Sequence, residues 1–183
     1  MRKEFATFLH GEMSYNEKIV LITGDLGYGL WDRIKIDYSD RFYNVMSSEQ
    51  LMVGTAVGLA MEGFIPLVYS ITPFVLYRPF ELLRNYLDHE HIPVKLIGGG
   101  RDRDYGYLGF SHWAEEDVKV LSTLENIQLY KPEKPTNKFS NKRKTFVSYE
   151  HSNVFMPVVF FPKRFNTASH PNQTNKSRLL YQK

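Results

Sequence analysis

Short apolar runs alternate along this chain with stretches of helical spacing. Lys18-Ile19-Val20-Leu21-Ile22-Thr23 is β-branched and stopped by Gly24, as a strand buried on both faces would be. Phe42 to Val45, Ile65 to Ser70, Pro93 to Ile97 and Ile127 to Tyr130 repeat that signal. Between them, Ser48-Glu49-Gln50 opens a predicted helix through Leu51 to Glu62, and further helices are predicted at Phe80 to His89 and Glu115 to Leu124. Such alternation favours parallel pairing through right-handed crossovers. It predicts a three-layer α/β/α domain with a mostly parallel central sheet. Ligands of these folds lie outside the carboxyl ends of the strands, so function is expected in the loops after Thr23, Val45, Ser70 and Ile97.

The pattern changes near residue 130. Lys131 to Lys144 is rich in Lys, Pro and Asn and reads as a linker; Phe155 to Phe161 offers one added strand; a flexible tail is expected from Asn166 onward. Charge divides at the same place. Residues 131–183 carry eleven Lys and Arg against two Glu, a net +9, while residues 1–130 carry twelve basic and eighteen acidic side chains, a net −6. The expected organisation is a domain over 1–130 and a basic extension over 131–183. A basic tail docks on an acidic protein patch as readily as on nucleic acid. Without the aromatic and arginine patterning of an RNA-binding module, no nucleic-acid partner is expected.

Composition narrows the chemistry. The 183 residues, 43% apolar and 15% aromatic, can bury a core, and the lack of cysteine excludes disulfide scaffolds, thiolate nucleophiles and Cys-ligated metals. Residues 1–13 mix charges with Phe5 and Phe8 and hold no signal-peptide run, and no stretch approaches the roughly eighteen apolar residues of a membrane span. A cytoplasmic protein without a membrane partner is expected.

The most informative stretch runs from Asp40-Arg41 through Glu49-Gln50 to Gly63-Phe64-Ile65-Pro66. A strand leads directly into a helix whose first turn carries a carboxylate. Serine at the N-cap followed by Glu is also an ordinary helix start, stabilised by the macrodipole. The small residues Gly54, Ala56, Gly58 and Ala60 add something. Glycine costs about 1 kcal/mol inside a helix, so a close neighbour is expected against this one.

These residues resemble the pyrimidine-binding domain of thiamine diphosphate enzymes of the transketolase group, which includes deoxyxylulose-phosphate synthase and the beta subunits of 2-oxo acid dehydrogenases. The likeness extends through Gly24-Asp25-Leu26-Gly27, Tyr69-Ser70, Pro93-Val94 and His112. It implies the thiamine diphosphate-binding fold, with Glu49 as the carboxylate that hydrogen-bonds N1′ of the cofactor's aminopyrimidine and activates it. Phe74 and Tyr77 would form the apolar slot for that ring. His112 would face substrate and move protons, although Phe110-Ser111 stands where the family usually has Pro-Thr. Arg101 and Arg103 are candidates for a sugar-phosphate contact. Gly98-Gly99-Gly100 lacks the Lys-Ser/Thr of a phosphate loop.

The family's diphosphate-binding half, marked by Gly-Asp-Gly and a later Asn, is absent from this sequence, and no metal ligand is assigned within it. The resemblance therefore implies a subunit that works with a second polypeptide carrying that half and its Mg2+, in a homodimer or an α2β2 assembly. The expected reaction is transfer of a two-carbon or acyl unit from a ketose phosphate or 2-oxo acid. A noncatalytic binding or regulatory protein that retains the fold is the alternative.

Overall fold

The computed structural model describes residues 2–130 and 157–162. Its strands are β1 (Ile19–Thr23), β2 (Phe42–Asn44), β3 (Ile65–Ile71), β4 (Lys95–Gly99), β5 (Ile127–Tyr130) and β6 (Pro157–Pro162). They form one sheet in the order β2-β1-β3-β4-β6-β5. β1 to β4 run parallel, and β6 runs antiparallel to both β4 and β5. The stretch that offers one added strand thus holds β6, which sits inside the sheet rather than at its edge. The predicted linker at 131–144 and tail from 166 lie outside the described residues.

Strand alternation builds two cores. Ile19, Leu21, Leu67, Tyr69 and Ile97 face α1 (Arg2–Tyr15) and α2 (Asp32–Asp37). Val20, Ile22, Val68 and Leu96 face α3 (Glu49–Met61), α4 (Thr72–Tyr77), α5 (Phe80–Leu82, continued by π-helical turns over Leu83–His89) and α6 (Asp117–Leu121). Three α/β/α layers result. Among the described residues, no helix is long and apolar enough to cross a membrane.

α1 is not among the helices that the polar pattern predicts. Its Phe5, Leu9 and Met13, spaced by four, are buried, and Phe5 meets the edge of Trp31 at 5.9 Å between centroids. The intervening charges and Gly11 mask that stripe.

Two glycine expectations change. Gly98 and Gly99 lie within β4 rather than beyond it, and both are crowded: a Cβ at Gly98 would stand 2.5 Å from Thr72 Oγ1 of α4, and one at Gly99 3.1 Å from the Tyr69 hydroxyl. The triple-glycine run is a packing device. Conversely, Gly54 and Gly58 have no close neighbour among the described residues: Leu82 Cδ1 is 3.9 Å from a Cβ built on Gly54, and nothing lies within 4 Å at Gly58. The close approach expected along α3 is thus absent at its two glycines within the described chain, while Ala56 and Ala60 are buried in the core.

Candidate active site

The carboxyl ends of β1 and β2 are joined by one side chain. Asn44 Oδ1 accepts from the backbone N–H of Asp25 at 2.9 Å and of Met46 at 3.0 Å, while its Nδ2 donates to Asp25 Oδ1 at 3.1 Å. Both Asp25 and Met46 sit at φ 58°, a region that L-residues rarely adopt. Asn44 thereby holds two strained loops in register. Tyr28 donates to the same Asp25 carboxylate. The Tyr28 and Asn44 hydrogen bonds keep the Asp25 carboxyl below its ordinary range.

The Met46 turn launches α3 and sets Glu49 at its head. Ser48 makes no side-chain cap, and Glu49 is only 3% exposed. An ordinary first-turn glutamate projects into water; this one is aimed inward beneath the end of β1. A Cβ at Gly24 would come to 3.6 Å from Glu49 Oε1 and 3.2 Å from the Met46 carbonyl oxygen. A side chain there would press on the Met46 carbonyl.

α4 supplies the opposite wall. Thr72, fully buried, donates from Oγ1 to the Gly100 carbonyl at 2.5 Å and so clamps the helix start to the end of β4. One turn on, Phe74 and Arg78 share a face. Arg78 Nη1 donates to Glu49 Oε2 at 2.9 Å, and its guanidinium carbon lies 3.5 Å from the Phe74 ring centroid. A buried carboxylate needs such a partner.

His112 arrives on a long excursion after β4. The Asp102–Ala114 bridge cinches its base, and Arg103 is engaged there with Glu115 at 2.8 Å and over the Trp113 ring. Arg101 lies beside Asp102 and takes Asp104 on its backbone N–H. The imidazole packs edge-on against Phe74 at 5.0 Å between centroids, with Ser111 Oγ 3.0 Å from Nδ1. The exposed Tyr107, Leu108 and Phe110 line the same excursion.

The fold therefore links Glu49, Arg78, Phe74 and His112 through successive contacts. Tyr77 turns elsewhere. It packs with the α6-side core, its hydroxyl is buried among described residues that offer it no hydrogen bond, and burial, with Glu116 and Asp117 adding to it, pushes the phenol up to about 12. Arg78 and Asn44 are the two site residues that sequence reasoning missed. The i, i+4 spacing of Phe74 and Arg78 was their one local signal.

The donor set suits an aminopyrimidine. Such a ring needs a carboxylate at a ring nitrogen and an aromatic face to stack on, and Glu49 and Phe74 are linked through a single guanidinium. A metal-bound diphosphate needs clustered oxygen ligands. Among the described residues, no three His, Asp or Glu gather to hold a metal ion.

Residues 1–164 match the family described as transketolase, pyrimidine binding domain. An uncharacterized 33.6 kDa protein in the fasciation locus of Rhodococcoides fascians is 30% identical over 72% of this chain and 42% of its own length. A subunit of the apulose-4-phosphate transketolase of Actinobacillus succinogenes is 32% identical over 54% of this chain and 32% of its own. Among solved structures, a split gene transketolase, an inactive beta4 tetramer, superposes with a TM-score of 0.62 at 28% identity, covering 73% of this chain and 43% of the other. The chain spans less than half the length of these relatives.

Proposed function

The chain belongs to the transketolase pyrimidine-binding domain family, and from that premise we propose that it is the pyrimidine-binding subunit of a split, thiamine diphosphate-dependent transferase. The observation that carries this reading is the burial of Glu49 at the head of α3, 2.9 Å from a guanidinium that stacks on Phe74. When bound, thiamine diphosphate supplies the nucleophilic carbon needed to cleave a bond beside a carbonyl. Glu49, only 3% exposed, holds the proton shared with N1′ of the aminopyrimidine. Phe74 orients the ring by stacking. Tyr77, turned to α6, contributes through packing. His112, its Nδ1 engaged by Ser111, moves protons to and from substrate through Nε2.

The diphosphate and its Mg2+ belong to a partner subunit. The splitting of transketolase among polypeptides in the named relatives supports that division, and a homodimer or α2β2 assembly is its natural form. The reaction is transfer of a two-carbon or acyl unit from a ketose phosphate or 2-oxo acid. The basic segment over 131–183 serves assembly with that partner.

Calorimetric titration of thiamine diphosphate and Mg2+ into the chain, alone and mixed with a subunit carrying Gly-Asp-Gly and the later Asn, tests this. Binding in the mixture, with turnover lost in Glu49→Gln, is expected. A folded chain and a competent partner that together bind nothing would overturn the proposal in favour of a noncatalytic protein.

A further inference from the structure

An aminopyrimidine seated by Glu49 and Phe74 would make two contacts, a proton shared between its ring nitrogen and the carboxyl group and a stack on the phenyl face. Arg78 already makes both. Its guanidinium is planar and rich in N–H donors; Nη1 lies 2.9 Å from Glu49 Oε2, and the guanidinium carbon lies 3.5 Å from the Phe74 centroid. Beside that pair, Glu49 Oε1 faces Gly24, and His112 stands edge-on to Phe74 at 5.0 Å between centroids. The Arg78 side chain is 44% exposed, whereas that of Glu49 is 2% exposed, so the arginine can swing into water while the carboxylate stays.

Resting on the reading that Glu49 and Phe74 receive the cofactor's aminopyrimidine, we infer that Arg78 is a built-in surrogate for that ring, which occupies the site in the free chain and must be displaced for cofactor to bind. Two planar groups cannot share Oε2 and the open Phe74 face. The surrogate also gives the buried Glu49 charge a partner until the cofactor arrives, so the empty site survives without an unpaired buried carboxylate. The apparent affinity for the cofactor is then its intrinsic affinity multiplied by the fraction of chains in which Arg78 has swung out.

Two measurements on the full chain test this. In the first, NMR reads proton exchange at the Arg78 guanidinium in the absence of ligand. Slower exchange in the wild type than in Glu49→Gln is expected; equal exchange overturns the inference, whatever the pyrimidine does. In the second, 4-amino-5-hydroxymethyl-2-methylpyrimidine is titrated into the wild type, Arg78→Met, Arg78→Lys and Arg78→Met/Glu49→Gln, each checked for folding by circular dichroism. Arg78→Met should bind about tenfold tighter or more, Arg78→Lys should fall between because it keeps charge without the plane, and the double variant should lose the gain. Glu49-dependent binding that is no tighter in Arg78→Met overturns the surrogate and leaves the Glu49–Phe74 reading standing. Binding by none of the folded variants overturns both.

Discussion

Gly98→Ala is the sharpest test of how packing holds this site. The new Cβ would lie 2.5 Å from Thr72 Oγ1 and 3.1 Å from both Thr72 Cα and Cβ. Rotating the hydroxyl away relieves the first contact but removes the donor from the Gly100 carbonyl, a buried bond whose loss costs about 1–1.5 kcal/mol. The backbone contact remains, and overpacking of this kind costs about 1–3 kcal/mol. Reduced freedom of the unfolded chain returns about 0.4–1 kcal/mol. The net is about 1–4 kcal/mol, which lowers the melting temperature of a domain this size by about 2–16 °C. Because Thr72 begins α4, the same strain moves Phe74 and Arg78 away from Glu49. Urea unfolding of the wild type, Gly98→Ala, Thr72→Ala and the double variant measures both the loss and the coupling. In the Thr72→Ala background, Gly98→Ala should cost at least about 1 kcal/mol less, since the hydroxyl clash is gone. A single variant within about 0.5 kcal/mol of wild type, or strictly additive costs, would refute the clamp.

Other residues give simpler expectations. Gly58→Ala, with nothing within 4 Å of its new methyl, should stabilise the isolated chain by up to about 1 kcal/mol in thermal melts; a loss instead would mean that a neighbour packs there. Asn44→Ala removes three solvent-accessible hydrogen bonds at the low end of about 0.5 kcal/mol each, so a loss near 1.5 kcal/mol is expected by urea unfolding, and no change would show that Asp25 and Met46 hold their turns unaided. Burial lowers the Lys95 pKa to about 8 from its ordinary 10.5, so the folded chain prefers the neutral amine. Its penalty is full below pH 8 and fades as pH rises to 10.5. Lys95→Met should therefore stabilise more at pH 7 than at pH 10, and equal effects would refute the desolvation. Tyr77→Phe, which removes a buried hydroxyl that the described residues leave without a hydrogen bond, should stabilise the chain below pH 10 and flatten the loss of stability between pH 10 and about 12, where the unfolded phenol ionises first.

The fold class was legible because it rests on local periodicity. Runs such as Ile19 to Thr23 and Ile65 to Ser70 carry apolar side chains for both faces of the sheet, and that pattern survives in sequence without knowledge of the partners. Glu49 was legible through the family resemblance, because a strand running straight into a helix with a first-turn carboxylate reads by itself as an ordinary helix start. The sequence by itself thus determined three α/β/α layers and the strand-end loops where a ligand of such a fold lies. Tertiary structure decided the rest. Phe74 and Tyr77 stand three residues apart in a six-residue helix too short to display a period, and only the packing of α4 on β4 and α6 turns one to Glu49 and the other away. The ion pair of Glu49 and Arg78 spans 29 residues, and the meaning of Gly98 depends on Thr72, which follows the preceding strand of the chain. Local spacing records which side of an element is buried; it does not record which distant side chain will meet it there, because that choice is made by the competition of all packed neighbours for the same space.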